Sequence, residues 1–243
     1  MRDWICGFFM AWGMFLAIPC PRKIWSESAR QKMLVCIPLV GLLAGGVWAG
    51  AWLLMRGAPG PVRAAVCAAV PWLVTGFMHL DGYMDVCDAV LSRRDLPTRR
   101  RILKDSHCGA FAVICLVLLA LGQWSLFLAA EDVSWLALLL IPAATRACAG
   151  LAVLGLRPMG TSQYAAMGPA RGGYGAALWV LLALSVGLPL WLDGSFGPLA
   201  AAVGYGLAVW YGFRNLDGMS GNISGFALTL GELCGCGAAI LWR

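Results

Sequence analysis

The chain has 243 residues, of which 60% are hydrophobic and only 12% charged, against about 25% charged in an ordinary soluble domain. Too few polar side chains remain to cover a water-facing surface, which excludes a freely soluble enzyme and makes membrane lipid a partner. The net charge of +6 does not point to nucleic acid, because the basic residues gather at the ends of apolar runs, as in proteins oriented by a membrane.

In chain order, the first element is the apolar stretch Trp4 to Pro19 behind Arg2. Prolines at 19 and 21 and the lack of a small-x-small pattern argue against a cleaved signal peptide. About 20 residues are needed to span a bilayer, so this aromatic-rich segment is expected to lie in the interface or re-enter it. Seven longer apolar runs follow, roughly Met33–Met55, Val62–Leu80, Gly109–Ala130, Ser134–Leu156, Tyr174–Leu192, Phe196–Phe213 and Ile223–Trp242. None alternates with the period of two that a barrel requires. The expectation is an all-α, polytopic integral membrane helical bundle: one domain over residues 1–243, with about seven transmembrane helices plus the N-terminal segment. Glycines inside the runs (Gly41, Gly45, Gly46, Gly50, Gly204, Gly206) would let helices pack closely. The ten cysteines contain no CxxC pair and read as reduced, buried small hydrophobes rather than a disulfide framework.

Alternating the runs across a bilayer puts Arg22, Lys23, Arg30, Lys32, Arg93, Arg94, Arg99, Arg100, Arg101, Lys104, Arg157, Arg171 and Arg214 on one side. The other side receives only Arg56, Arg63 and Arg243. The positive-inside rule makes the first side cytoplasmic and places the chain in the cytoplasmic (plasma) membrane. Oligomeric state is open, and a homo-oligomer is compatible with the sequence.

The chemistry concentrates in residues 79–109. In His79-Leu80-Asp81-Gly82-Tyr83-Met84-Asp85-Val86-Cys87-Asp88, the three aspartates stand at i, i+4 and i+7, so a helix would carry them on one face. Three clustered carboxylates at a membrane boundary need a counter-charge. Mg²⁺ typically takes a few carboxylates plus substrate phosphates. Arg99, Arg100, Arg101 and Lys104 follow, then Asp105-Ser106-His107-Cys108-Gly109. Acidic metal ligands beside a basic cluster suggest a phosphorylated substrate, and a pyrophosphate in particular. The bland alternative, aspartates that cap a helix and balance arginines, is the better reading for Asp95 before Leu96-Pro97. A zinc site from His79, Cys87, His107 and Cys108 matches no common zinc spacing. Two loops on the same side, Arg157 to Gly173 and Arg214 to Gly225, are rich in glycine and polar residues. Arg146 and Glu232 lie inside apolar runs and should face the bundle interior.

These residues resemble the cobalamin synthase family, the adenosylcobinamide-GDP ribazoletransferases. That family's His-Leu-Asp-Gly-x-x-Asp-x-x-Asp run is matched by His79, Leu80, Asp81, Gly82, Asp85 and Asp88, and its Lys/Arg-Asp-Ser-x-x-Gly by Lys104, Asp105, Ser106 and Gly109. Weaker matches are Ile18-Pro19-x-Pro21, Pro38 to Leu42, Arg146, Gly221-Asn222-x-x-Gly225 and Gly231-Glu232. The chain departs from the pattern at Asp217-Gly218, at Asp88-Ala89, and at Asn222, where the family carries aspartate. The resemblance implies a Mg²⁺-dependent phosphoryl transfer joining α-ribazole, or its 5′-phosphate, to adenosylcobinamide-GDP with release of GMP. It implies Asp81, Asp85 and Asp88 as metal ligands and Asp105 as a further ligand or the base. His79, Arg101, Lys104, Ser106, Arg146, Asn222 and Glu232 become substrate-binding candidates. At 222 the alternative is a helix cap, for which asparagine and aspartate are about equally good. A membrane enzyme using CDP-alcohols would need Asp-Gly-x-x-Ala-Arg, which is absent. A transporter would carry its polar groups at mid-bilayer rather than at one face.

Overall fold

A computed structural model describes residues 2–160, 162 and 173–242. Among them the fold is helical, without strands; one isolated bridge joins Pro158 and Met219. The helices are α1 (Arg2–Phe15), α2 (Arg30–Leu54, entered through a 3-10 turn at Glu27–Ala29), α3 (Gly60–Val74), α4 (Met78–Leu91) and α5 (Leu96–Ile102), followed by α6 (Ala110–Ala129), α7 (Trp135–Gly155), α8 (Tyr174–Leu192), α9 (Gly197–Leu216) and α10 (Gly221–Leu241).

Each of the seven apolar runs forms helix, but by length and composition fewer than seven qualify as membrane spans. Five of the described helices, those ending at Leu54, Ala129, Gly155, Leu192 and Leu241, are long and apolar enough to cross a bilayer; the pair α3 and α4 would make a sixth if it is one broken span. Two features of the sequence account for the difference. First, α9 dilutes its apolar residues with glycines, tyrosines, Arg214 and Asn215. Second, the run Val62–Leu80 is not one helix: it turns by 91° between α3 and α4. The corner is made by Gly76 and Phe77, both left-handed at φ 59° and 62°, and α-helix cannot continue through that conformation. The N-terminal segment is held to this corner where the Ala17 N–H donates to the Val74 carbonyl at 2.8 Å.

Burial separates a central set of helices from a peripheral one. Over the most apolar part of each helix, 67% of α2, 67% of α7 and 72% of α10 is buried, against 22% of α6 and 17% of α8. Helices that are apolar all round yet exposed need lipid to cover them. One apolar core joins α1, α2, α3 and α7 around Trp48 and Trp52; a second joins α4, α6, α9 and α10 around Tyr83, Tyr205 and Phe226. Close approach depends on small residues. A Cβ at Gly41 would sit 2.6 Å from the Pro142 carbonyl oxygen, and one at Gly45 would overlap the backbone of Leu139, so α2 and α7 touch along their backbones. Gly46, Gly50 and Gly206 have no such neighbour and are not part of the packing. All ten cysteines are free; Cys36, Cys67, Cys87 and Cys236 are buried, whereas Cys108 and Cys234 are exposed and the other four are half-buried.

The loops assigned to one side do meet. Arg99 donates to the Asn215 side chain at 3.1 Å, Arg100 to the Asp217 carboxylate at 3.0 Å, and Arg157 pairs with Asp217 as well. At the other end Arg56 pairs with Asp132 at 3.5 Å and Arg63 donates to the Ala130 carbonyl at 3.0 Å.

Candidate active site

The aspartate run forms α4, so the expected helical face exists: Asp81, Asp85 and Asp88 line one cavity of about 360 Å³. Its opposite wall is the α5–α6 loop with Lys104, Asp105, Ser106 and His107, closed by Gly109. Two helix contacts set this geometry. Where α4 crosses α10, a Cβ on Gly82 would come within 2.9 Å of the Asn222 carbonyl oxygen, and one on Gly225 within 3.0 Å of the His79 carbonyl oxygen. The two backbones therefore meet without side chains between them. At the start of α6, a Cβ on Gly109 would overlap both carboxylate oxygens of Asp88.

The α4–α10 crossing delivers Asn222 to the site. Its Nδ2 donates to Asp85 Oδ2 at 2.7 Å and to the Leu103 carbonyl at 3.1 Å. It does not cap α10. The cap is Ser220, whose hydroxyl accepts from the Ile223 N–H at 3.4 Å, so the cap alternative is set aside. Asp95, by contrast, does stand at the N-cap position of α5.

Asp105 is exposed and accepts a hydrogen bond from the His107 N–H at 3.0 Å, with the His107 ring Nδ1 at 2.6 Å. The backbone N–H first, and the ring second, hold its carboxyl below the usual aspartate range and keep it ionised. Lys104 is the cation that lines this cavity. Arg101 is exposed and lines neither of the two cavities found, while Arg99 and Arg100 are engaged with the α9–α10 corner.

The donor chemistry fits Mg²⁺. The cavity presents carboxylate oxygens from four aspartates, and among the described residues none of the α4 aspartates is in an ion pair. Among the described residues no three His, Cys, Asp or Glu side chains close on one point as an all-protein cage would. The three α4 aspartates therefore form no ready-made cage. Mg²⁺ is usually held by one or two carboxylates with substrate phosphates and water, and the aspartates of this cavity are the donors that would supply those carboxylates. The zinc alternative fails on placement, since Cys87 is buried and His79 faces a different cavity.

That second cavity, of about 520 Å³, meets the first at Asp81, Leu103 and Lys104. His79, Arg146 and Asn222 line it. Arg146 is 1% exposed and pairs with Glu232 at 2.6 Å, joining α7 to α10. Arg30, Trp25 and Phe15 also line it. Their positions, in α1, in the connection after it and at the start of α2, carry no sequence signal that connects them to the aspartates.

A family model described as cobalamin-5-phosphate synthase matches residues 7–240. The chain belongs to the cobalamin-5-phosphate synthase family. It is accordingly a transferase of cobalamin synthesis. Curated relatives called adenosylcobinamide-GDP ribazoletransferase include one from Clostridium botulinum (strain Alaska E43 / Type E3), 32% identical over 257 residues with 100% of both chains covered. One from Clostridium perfringens (strain 13 / Type A) is 33% identical, covering 93% of this chain and 94% of its own. One from Halalkalibacterium halodurans is 39% identical over 60% of this chain and 58% of its own. No solved structure matches. The family pattern falls on both cavities: Asp81 to Asp88 and Lys104 to Gly109 form the acidic one, and His79, Arg146 and Gly221 to Gly225 border the larger. Of the glycine-rich loop before α8, Thr161 and the stretch holding Gln163, Tyr164, Gly168 and Arg171 lie outside the described residues.

Proposed function

We propose that this chain transfers the cobinamide-bearing phosphoryl group of adenosylcobinamide-GDP to a ribose hydroxyl of α-ribazole or its 5′-phosphate, releasing GMP. A new P–O bond forms between the ribose oxygen and the cobinamide-bearing phosphorus, and the bond from that phosphorus to the bridging anhydride oxygen breaks. GMP leaves with the electron pair, and the hydroxyl proton passes to a base. The observation that carries this reading is the cavity in which the three α4 aspartates face Lys104 and Asp105. Such transfers depend on positioning and charge neutralisation rather than on covalent chemistry by the protein.

Asp81, Asp85 and Asp88 would hold Mg²⁺, which when bound neutralises pyrophosphate charge. Asn222 fixes the orientation of Asp85 by its hydrogen bond. Lys104 lies where a phosphate oxygen needs a cation, and Ser106 offers a hydroxyl beside it. Asp105, kept ionised by His107, is the group that takes the proton. Arg146, held by Glu232, carries positive charge to the edge of the neighbouring cavity. We place the site on the cytoplasmic face of the plasma membrane on the strength of the charge asymmetry. The test is incubation of purified protein with adenosylcobinamide-GDP, α-ribazole and Mg²⁺. GMP and a joined corrinoid should appear in equal amounts, and their absence from an intact preparation overturns the reading.

A further inference from the structure

The larger cavity has a chemical character of its own. Apart from the junction with the acidic cavity, its walls include Phe15, Met33, Ile37 and Leu228, which are apolar. Into this surround comes His79, which is 8% exposed and whose ring Nε2 is buried with no hydrogen-bond partner. The His79 ring stacks on Phe15 with centroids 6.4 Å apart, and its own carbonyl accepts from the Thr229 hydroxyl at 3.2 Å. Backbone and ring plane are thus fixed while one nitrogen stays open. A buried polar atom without a partner is rare in a native protein and points to a missing ligand group.

The volume of about 520 Å³ falls within the range of pockets for nucleoside-sized ligands, roughly 300–1,000 Å³. It is too small to enclose a corrin macrocycle. Two nucleoside bases remain, that of GDP and that of α-ribazole. Guanine presents two acceptors on one edge and further donors beside them, so it needs several polar partners. The cavity's arginines each commit Nη1, Arg146 to Glu232 and the Pro142 carbonyl and Arg30 to Glu27, and each keeps a buried Nε without a partner. The choice between the bases therefore rests on the walls beside His79, formed by Phe15, Met33, Ile37 and Leu228, which are apolar and offer guanine's N–H edge no acceptor away from the junction. A benzimidazole, by contrast, is flat and carbon-rich and, once glycosylated, has a single free ring nitrogen.

We propose that this cavity seats the benzimidazole base of the incoming nucleoside, its free ring nitrogen hydrogen-bonded to His79 Nε2. The inference rests on the transferase reading above and adds to it the location and recognition of one substrate. With the base there, the ribose lies at the Asp81–Lys104 junction, and its hydroxyl opens onto the acidic cavity where the pyrophosphate is held. One substrate then enters each cavity, and they meet where the new bond forms.

The experiment measures binding rather than turnover. Equilibrium dialysis of the purified full chain is run separately with α-ribazole, with adenosylcobinamide-GDP, and with an α-ribosyl dimethylindole that lacks the ring nitrogen. The parent protein should bind α-ribazole at least about tenfold more tightly than the indole analogue, and His79→Ala should remove that preference. Val153→Trp, which fills the cavity from its α7 wall, should weaken α-ribazole at least about tenfold and leave adenosylcobinamide-GDP within about twofold. Equal affinity of the parent for α-ribazole and the indole analogue overturns the role of His79, whatever the folding of the variant. A Val153→Trp protein that loses adenosylcobinamide-GDP and keeps α-ribazole assigns the cavity to the other substrate and overturns the proposal. A parent that binds adenosylcobinamide-GDP but not α-ribazole also overturns it, while a parent that binds neither overturns the transferase reading and this inference with it.

Discussion

At the scale of single residues, the three α4 aspartates form no ion pair among the described residues, and Asp85 has only the Asn222 amide. Asp81→Asn, Asp85→Asn and Asp88→Asn each remove charge while keeping shape. A bound metal contributes several kcal/mol to phosphoryl transfer, so turnover should drop at least about a hundredfold in each variant. Product formation across a Mg²⁺ titration checks this, and near-parental rates in all three remove the metal role. Asn222→Asp is the complementary experiment. It replaces the donor to Asp85 Oδ2 and to the Leu103 carbonyl with a carboxylate, so without Mg²⁺ two like charges face each other. The melting temperature should fall in EDTA and recover with Mg²⁺, and Mg²⁺ affinity or kcat should rise about tenfold, roughly 1.4 kcal/mol. An unchanged melting temperature in EDTA would show that the Asn222–Asp85 bond has no energetic weight.

At the scale of elements, the acidic cavity exists because α4 turns sharply away from α3 and then lies backbone to backbone against α10. Gly82→Ala would press a methyl into the Asn222 backbone, with its carbonyl oxygen at 2.9 Å and Cα at 3.1 Å. Neither helix can yield as a flexible side chain would, so the cost should be about 1–3 kcal/mol of overpacking. The separation also draws Asn222 from Asp85, and activity should fall further than stability alone accounts for, as read by thermal melting beside initial rates. A different joint ties α7 to α10. Arg146 and Glu232 pair at 2.6 Å with side chains 1% and 8% exposed. Arg146→Met leaves a buried carboxylate alone and should cost about 3–5 kcal/mol, whereas the double variant Arg146→Met/Glu232→Met should recover most of it. Melting both proteins in the same detergent tests this, and a double variant no more stable than the single one would show that the pairing is not the reason for the loss.

At the scale of the whole molecule, the basic loops collect at one end and tie to one another through Arg99, Arg100, Arg157 and Asp217. In the orientation proposed from the charge asymmetry, that end is the cytoplasmic one. Cys108 lines the acidic cavity and is exposed, whereas Cys87 is buried. A membrane-impermeant thiol reagent should therefore label Cys108 only from the cytoplasmic side, in a chain whose other exposed cysteine, Cys234, is replaced. Labelling from the outer side would invert the topology and move both substrate cavities to the wrong compartment.

Composition and pattern were enough to establish an all-helical membrane protein, because too few charged residues leave lipid as the only covering medium. Spacing alone also put Asp81, Asp85 and Asp88 on one helical face, since helical period is a local property. The number of spans was less legible. Hydropathy sums over a window and does not register a single left-handed corner such as Gly76-Phe77, where two residues turn one apolar run into two helices. Nor could the sequence tell whether residue 222 capped α10 or reached the aspartates, 137 positions away along the chain from Asp85. That was decided by two glycines meeting at a helix crossing. The larger cavity is tertiary altogether, since Phe15, His79, Arg146 and Leu228 come from four helices. Nothing local distinguishes an apolar residue that lines a ligand cavity from one that fills a core; only their assembly leaves His79 Nε2 buried and without a partner.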